Sequence, residues 1–599
     1  MIWEICLGIS FALFVAGIVS VVLNMTGKAF KTYNPVYMLG FFVFAASFCI
    51  FIPVYCCRFA GETWYGIKVF LISAHNAIRL FVVDGEFDII QEYLSADAGG
   101  LFLRYSWFAA VLFIAAPIIT FSLILSFMKR VRYFWSYLAG CKKDCYIFSE
   151  INERSLTLAE DLYQNEKKCQ IVFTDVFQSD TEESLDFTAR AKEIKAVCFY
   201  KDILNIDFTK GRNPEKKLYF FIMGDNRSEN LTQSLKLIEK YKNRENTRLF
   251  YFSDDENSDL SFSSVNKGEI KVKRVNMARV LIDRMLYEDG YKLFETAKEE
   301  PDGMRRIHAV IVGVGGHGSN MLRSLSWFCQ MDGYDIDIHA FELDSLAQDK
   351  LEMQCPDLIS GKYNGKKDPD EAMYTISIHP GVNVESKRFA DEIQMLSETN
   401  YVIVSLGDDE RNLRIAVMLR MLFERMGIHP QIRAIIYNSD ERKALEDARN
   451  FEGTSYDISF FGDLRSSYSE KVIINSELEE KALTLHKRWA DTTLSEEEKE
   501  SLFWDYEYNY RSSIAAAIHQ NVITEMEKHK LYHHDLDNEE HRRWNAYMRS
   551  EGYIQRGGFK EKDHLAKTHG DLVSNDNLRK NKEEWEKGRK IREAAQNKK

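Results

Sequence analysis

None of the 10 cysteines forms a Cys-x-x-Cys pair, and they are scattered along the chain. A disulfide framework or a zinc knuckle is therefore not expected, and a reducing compartment suits the soluble part. A basic excess is also missing. The 78 lysines and arginines stand against 90 aspartates and glutamates, for a formal net charge of −12. Nucleic-acid binders carry a basic footprint, so DNA and RNA are not expected partners. No acid–base pair or nucleophile motif stands out, and there is no separate substrate domain of the usual dehydrogenase kind. The first apolar run has Glu4 where a signal peptide carries a basic region, and no small-residue cleavage site follows it. It reads as an anchor.

What is present falls into two parts. Most long apolar runs lie before Lys129, and at 599 residues the chain has room for three or four domains. Three runs reach the roughly 20 apolar residues that a bilayer requires: Ile5–Leu23, Pro35–Cys57 and Tyr105–Met128. Lys28 and Lys31 follow the first, and Lys129, Arg130 and Arg132 follow the third. The positive-inside rule then predicts a multi-pass protein of the inner (plasma) membrane, with the N-terminus and the 58–104 loop outside and everything after Lys129 cytosolic. Within that loop, Trp64–Val83 reads as one helix. Lys68, His75 and Arg79 share a face, and Val69, Phe70, Ile78 and Leu80 fill much of the rest. Two readings stay open. The helix lies among lipid headgroups, or 64–87 is a pore-helix loop in which Asp84 and Glu86 form a cation-attracting ring in an oligomer. The potassium filter TVGYG is absent, so potassium selectivity is not supported.

The strongest motif is Gly313-Val314-Gly315-Gly316-His317-Gly318. It follows an apolar strand, Ala309–Val312, and opens a helix, Ser319–Phe328. Gly313 permits the tight turn, Gly315 lets a pyrophosphate approach the backbone, and Gly318 lets the helix pack on the strand. The next strand, Ile336–Phe341, ends at Glu342, placed to hold ribose hydroxyls, with Asp344 as second choice. A carboxylate there repels a 2′-phosphate, so NAD or an adenine nucleotide suits the site better than NADP. Strands at Tyr374–Ile378, Tyr401–Leu406 and Ile432–Tyr437 alternate with helical stretches, which predicts a parallel sheet covered on both faces. A Rossmann fold that keeps its glycines and binds nothing is the alternative.

The preceding stretch has the same layout. Strands are expected at Cys145–Phe148, Gln170–Thr174, Ala196–Tyr200, Leu218–Met223 and Leu249–Phe252, with a helix at Ser155–Tyr163. Gly224-Asp225-Asn226-Arg227-Ser228-Glu229-Asn230-Leu231 leaves its fourth strand. Gly407-Asp408-Asp409-Glu410-Arg411-Asn412-Leu413 leaves the fourth strand of the second unit, an internal echo that points to duplication. Glu150, Asn152 and Ser155 replace the three glycines in the first unit, which is expected to be mainly a packing partner.

On these motifs, residues 143–480 resemble tandem RCK domains, the cytosolic regulators of potassium channels and Trk-type transporters. The resemblance implies paired units that form rings and pull on a pore when ligand binds. It gives the nucleotide-contact role to Gly313, Gly315, Gly318 and Glu342. Gly316, Asp344, Asp408 and Asn412 complete the candidate cofactor-binding set.

After Ala490 the composition shifts to charged helix, with an amphipathic stretch at Tyr510–Met526. Then come Glu539-Glu540-His541-Arg542-Arg543-Trp544, Gly552-Tyr553, the segment His569-Gly570-Asp571-Leu572-Val573, and Leu578. Residues 535–595 resemble the RyR domain, a small helical module of ryanodine receptors, with Tyr553 where tryptophan is usual and Gly570 where proline is common. Trp544, Tyr553 and Arg543 are candidates to stack on a base, and His541 and His569 to contact phosphate or ribose. Alternatively Trp544, Leu572, Val573 and Leu578 are the core of a small domain. His533, His534, His541, His564 and His569 lack clear ligand spacing, so no metal is expected.

The expected layout is thus 1–133 transmembrane, 134–300 and 301–495 tandem Rossmann-like α/β domains, and 496–599 a small α-helical RyR-like module. Bacterial RyR-like modules joined to RCK-like domains are associated with nucleotide-signalled defence against phage, which the architecture resembles. The function expected first is a ligand-gated membrane effector. NAD, ADP/ATP or a signalling nucleotide acts on the cytosolic part, and the Lys129–Arg132 segment carries force to the spans. Three spans cannot enclose a useful pore, so a homo-oligomer, a tetramer or other even-numbered ring, is expected. The rivals are a membrane-tethered NAD-dependent or NAD-consuming enzyme, and a regulatory subunit of a separate channel or transporter.

Overall fold

The computed structural model describes residues 2–25, 35–84, 88–94, 100–166, 169–176, 181–254, 262, 265–367, 371–438, 442, 446, 449, 453–532 and 536–596. Lys28, Lys31, Glu86, His533 and His534 lie outside this set, as do the side chains of Lys129, Arg130 and Arg132. The chain divides into two compact units, Met1–Ala139 and Gly140–Lys599.

In the first unit, helices α1 (Ile2–Met25), α2 (Pro35–Arg58) and α4 (Gly100–Ala139) are joined by a shorter helix, α3 (Tyr65–Phe81). Ile2–Leu23, Val36–Arg58 and Gly100–Ile124 are long and apolar enough to cross a membrane. α2 packs against the other three, and Val43, Ala46, Ile50, Val54, Leu112 and Ala116 are fully buried. Polarity is turned inward. Ser10 Oγ donates to the Ala46 carbonyl at 2.6 Å, Asn76 Nδ2 to the Tyr55 hydroxyl at 2.5 Å, and the Tyr105 hydroxyl to the Ile50 carbonyl. Ile5, Ile9, Phe11, Ile18, Ile114 and Phe121 face outward. In water such a face is an aggregation liability, whereas lipid tails solvate it and leave the internal hydrogen bonds to hold the helices together.

α3 matches the expected helix to within two residues at each end. It buries Val69, Ser73, Asn76, Ala77 and Leu80, and exposes Ile67, Phe70, Leu71 and Ile78. At its C-terminal end Arg79 donates from Nε and Nη2 to the two Asp84 carboxylate oxygens, each at 3.1 Å.

The second unit holds two large sheets. The first contains β1 (Asp144–Phe148), β2 (Cys169–Phe173), β3 (Val197–Cys198), β4 (Leu218–Ile222), β5 (Thr247–Phe252) and β6 (Lys271–Val275), all parallel, in the order β3-β2-β1-β4-β5-β6. α5 (Glu153–Asn165) follows β1, and α6 (Arg227–Tyr241) follows β4. β4 is buried at every residue, as expected where helices cover both faces of a parallel sheet. The third strand is shorter than the expected Ala196–Tyr200, although the Phe199 amide still donates to the Phe173 carbonyl at 2.9 Å. β6 reads Lys-Val-Lys-Arg-Val and is partly exposed at the sheet edge, so it lacks the apolar run that marks its neighbours.

α7 (Met277–Asp289) leads to the second sheet. This contains the short β7 (Lys298–Glu299), then β8 (Arg305–Val312), β9 (Tyr334–Glu342), β10 (Tyr374–Pro380), β11 (Tyr401–Val404), β12 (Gln431–Ile435) and β13 (Ile458–Phe461). β10-β9-β8-β11-β12-β13 are parallel, and β7 pairs antiparallel with β8. Counted from its first full strand, this is the strand order of the first sheet. α8 (Gly316–Phe328) follows β8, and α9 (Asp409–Met426) follows β11.

The remaining chain includes α10 (Glu477–Trp489), α11 (Glu507–Lys528) and α12 (Leu536–Ser550), further helices at Glu496–Asp505 and Asn575–Gln596, and a small sheet of β14 (Ile554–Gln555), β15 (Lys562–Asp563) and β16 (Thr568–His569). The segment is mainly helical, as expected, with this small sheet added. Gly552 and Gly557 have φ of +84° and +98°, which breaks the helix and turns the chain into strands. A Cβ on Gly570 would lie 1.9 Å from the Gly558 carbonyl oxygen, so this departure from proline has a steric reason. The segment is also fused to the second sheet. α12 packs on α8, and α11 on α7 and α10, with Leu281, Leu322, Leu325, Ile518, Val522, Tyr547, Met548 and Leu572 in one apolar cluster.

Two expectations follow from this shared core. A chain ending at Ala490 should expose the faces of α7 and α8 that α11 and α12 cover. It should aggregate on size-exclusion chromatography, and recovery of a monodisperse, protease-resistant protein would contradict the shared core. Glu539 of α12 is 1% exposed, and burial, reinforced by Asp332, pushes its carboxyl up to about 8. Protonated Glu539 supports the fold fully below the usual carboxylate pKa of about 4.3, and that support is lost as pH rises through 8. Glu539→Gln should therefore be more stable than wild type by about 2–4 kcal/mol at pH 8.5 and equal to it near pH 4, as read by thermal unfolding of the full chain in detergent.

Candidate functional site

The turn between β8 and α8 is built around two glycines that cannot carry a side chain and two that leave room. Gly313 has φ +89°, and a Cβ there would sit 2.7 Å from the Ser405 carbonyl oxygen. A Cβ on Gly318 would lie 1.8 Å from the Gly313 carbonyl oxygen, so α8 rests directly on the end of its strand. A Cβ on Gly315 or Gly316 meets nothing within 4 Å. Gly315 is the N-cap and supplies no side-chain cap. The first amides of α8 thus open onto free space at the carboxyl end of a parallel strand, where a helix end favours negative charge.

Glu342 lies beside this turn, but its carboxylate is already engaged. It accepts from the amides of Val314 at 2.6 Å, Leu343 at 2.8 Å and Asp344 at 3.3 Å. It therefore laces the glycine turn to the end of β9. Asp344 pairs with Lys350 and accepts from the Leu346 amide at 2.9 Å, and the Lys350 hydrogen bond holds its carboxyl below the usual range. Two residues expected as ligand contacts have backbone partners of their own. Asp408 caps α9 through the Arg411 amide at 2.8 Å. Asn412 is fully buried, accepting from the Leu406 amide at 2.6 Å and donating to the Ile435 carbonyl at 2.9 Å. Both of its polar ends serve the backbone.

The first sheet's equivalent turn is filled. Asn152 and Ser155 form a reciprocal capping box on α5, and Asn152 Nδ2 also donates to the Met223 carbonyl at 2.9 Å. Burial, with Asp225 and Asp175 nearby, raises the Glu150 carboxyl above its ordinary value. Asn230 repeats the Asn412 device by donating to the Gly224 carbonyl at 2.6 Å. This turn offers acid where the other offers open amides.

Beside α8 lies a cleft of about 1950 Å³. Gly316, His317 and Arg323 of α8 line it together with Arg274 of β6, Tyr508 and Arg511 of α11, and Glu551 and Tyr553 beyond α12. Residues around Gly224 at the first sheet's switch point reach it too. Tyr508 sits 4.4 Å from His564 between ring centroids and 5.9 Å from Tyr553. The Tyr553 hydroxyl and His564 Nδ1 are 2.7 Å apart, as are the Tyr437 hydroxyl and His317 Nε2. Burial lowers the pKa of both His317 and His564 and pushes the Tyr508 phenol up to about 12. These groups therefore act near neutrality as uncharged hydrogen-bonding and stacking surfaces beside the arginines.

Of the residues expected in the C-terminal ligand site, Tyr553 faces the cleft and Arg543 does not. Arg543 is 0% exposed, pairs with Glu540 at 2.8 Å, and sits over the rings of Trp327 and Tyr547. The contact of α12 with α8 draws it inward, so it is no surface stacking group. Trp544 is half-buried between His541, at 5.8 Å, and His569, at 5.0 Å. His541 Nε2 donates to the Val573 carbonyl at 2.8 Å, and His569 Nδ1 accepts from the Asp571 amide at 3.1 Å. These three rings pack the segment internally. Asp84 in the first unit is held by Arg79, which lowers its carboxyl pKa. Among the described residues no group of three or more His, Cys, Asp or Glu side chains is placed to hold a metal ion.

The sequence reading missed Arg274, Arg279, Arg323, Arg511, Glu551 and Tyr508. Only Arg323 carried a signal, because it follows Gly316 by two helical turns and so lies on the same face of α8.

The glycines make a paired expectation. Gly318→Ala should destabilise the full chain by about 1–3 kcal/mol, as overpacking does, whereas Gly315→Ala should leave the melting temperature unchanged. Equal shifts for both would show that the turn is not built as described.

No protein-family model matches the chain and no curated protein matches it, so the reading of this site rests on its own geometry.

Proposed function

We propose that the chain is a membrane protein controlled by a nucleotide-type ligand that binds the cleft of the Gly140–Lys599 unit. The observation that carries this reading is the uncapped N-terminus of α8, open above Gly315 and Gly316, beside a wall of arginines and tyrosines. Helix amides and guanidinium groups receive phosphate, and tyrosine rings receive a base. The strand order of the second sheet supports a Rossmann-type unit. The glycine turn lies at the end of its first full strand, where the order reverses and nucleotides bind in such sheets. In this reading the two sheets are RCK-like and the C-terminal segment is RyR-like, placed on the cytosolic side with the N-terminus outside.

The ligand, whether NAD, ADP, ATP or a signalling nucleotide, changes the arrangement of the three apolar helices in a homo-oligomer. The output is ion flow or loss of membrane integrity, in keeping with a role in phage defence. The outward apolar faces of α1, α3 and α4 support a lipid surrounding. The pair of Arg79 with Asp84 offsets the charge of Asp84 and so weakens an acidic ring at this position.

Titration of NAD, ADP and ATP into the full chain in detergent tests the reading. Gly315→Val should weaken the best of these at least tenfold, about 1.4 kcal/mol, without lowering thermal stability, because a side chain there occupies the ligand's space and nothing else. In liposomes, the same nucleotide should release a trapped dye from wild type and not from Gly315→Val. Absence of binding by every nucleotide tried, or nucleotide-independent release, would sink it.

A further inference from the structure

Beside the cleft, which Arg274, Arg323 and Arg511 line, guanidinium groups from four elements gather around two carboxylates. Arg274 comes from β6, Arg279 from α7, Arg323 from α8 and Arg511 from α11. Arg274 donates to Glu507 at 2.7 Å, and Arg511 also pairs with Glu507. Arg279, Arg323 and Arg511 all turn toward Glu551, the first residue past α12. Lys567 adds a further cation nearby, donating to the Glu551 carbonyl at 2.8 Å. Asp283, one turn along α7 from Arg279, is pushed by burial up to about 7 and supplies only part of a negative charge near neutrality.

The contacts at Glu551 are unequal. Arg279 Nη2 lies 2.6 Å from Oε1, but Arg323 Nη2 is 3.5 Å from the same oxygen and Arg511 Nη1 is 3.4 Å from Oε2. Arg323 cannot come closer freely, because its Nε is held by the Ser550 carbonyl at 2.6 Å. The Glu551 carboxylate thus lies close to one guanidinium and farther from two, of which Arg511 is also paired with Glu507 and Arg323 with the Ser550 carbonyl. A phosphate group presents oxygens in three dimensions and carries more charge, which suits three donors converging from different elements. Burial by itself would raise the Glu551 carboxyl, yet Arg279, Arg323 and Arg511 outweigh it and hold it well below the usual carboxylate range.

We propose that Glu551 occupies, from within the chain, an anion site built by Arg279, Arg323 and Arg511, and that a phosphate group of the cleft's ligand takes this site by displacing it. The inference rests on the reading of the cleft as a nucleotide site and adds the chemistry of the arginine cluster beside it. Glu551 follows directly on α12 and precedes Tyr553 of the cleft wall, so its displacement loosens the joint between α12 and that wall. The internal carboxylate sets a threshold that a neutral or weakly charged ligand does not pass.

Inorganic phosphate is the probe, applied to the full chain in detergent at constant ionic strength with chloride as the control anion. Glu551→Gln should bind phosphate at least tenfold more tightly than wild type, and phosphate should raise its melting temperature where chloride does not. Adding Arg279→Gln to Glu551→Gln should return binding to the wild-type level. The proposal is overturned if Glu551→Gln binds phosphate no better than wild type, or if the double variant binds as tightly as the single. Should Glu551→Gln fail to fold, Glu551→Asp withdraws the carboxylate by one methylene and keeps the charge. It should tighten phosphate binding several-fold, and unchanged binding then counts against the site. Nucleotide binding that remains sensitive to Gly315→Val, with phosphate binding indifferent to Glu551, would defeat this inference and leave the cleft reading intact. Phosphate binding that follows Glu551 without any nucleotide binding would do the reverse.

Discussion

Helix α8 is seated by a contact that tolerates no side chain. The position of Gly318 against the Gly313 carbonyl oxygen fixes the helix flush against the end of β8, and from that seat it can be covered along its length. Met321 through Phe328 are all buried, with α7 on one flank and α12 on the other. The N-terminus of the same helix remains uncapped and faces the cleft, while Arg323 reaches the Ser550 carbonyl at the end of α12. One rigid rod therefore has an open polar end at the candidate ligand site and a buried body gripped by the C-terminal segment. The arrangement ties the local chemistry of the glycine turn to the packing of some 200 residues farther along the chain.

The two large sheets show how one plan supports opposite chemistry. They share a strand order, and in each the helix after the fourth strand carries a buried asparagine that braces the backbone, Asn230 in one and Asn412 in the other. They part at the turn after the first strand. Open glycine amides occupy it in the second sheet, and Glu150 beside Asp175 and Asp225 in the first. The open amides favour negative charge in one, and the carboxylates oppose it in the other. The first sheet still lines the cleft through Arg274 of β6, where it supplies wall and charge.

Much of this was legible in the sequence because each signal is local. Strands buried on both faces read as apolar runs, the glycine spacing declared the turn, and the three long apolar helices declared themselves by length. The misses have a common cause in tertiary context. β6 is polar because it lies at an edge. Arg543 looks like a surface residue on a charged helix until α8 is seen to cover it. The arginines around Glu551 are scattered between positions 279 and 511, and no window of sequence holds them together. Asp408 and Asn412 were correctly seen as an echo of the first unit, but an echo marks a shared strut as readily as a shared ligand contact.

The seam along α12 has a physical character that its burial conceals. Alongside Tyr547 and Met548 it carries Arg542 paired with Asp332 at 2.8 Å, Arg543 against Trp327, and Arg549 donating to the Glu371 carbonyl at 3.1 Å over the ring of Tyr363. A purely oily seam resists separation because water gains nothing by entering it. Guanidinium groups are different, since each buried one is already short of the hydration it would have outside. Water wedged into this seam finds hosts, so the joint is wettable. Its strength should depend on salt and solvent in a way that a greasy joint of equal area would not.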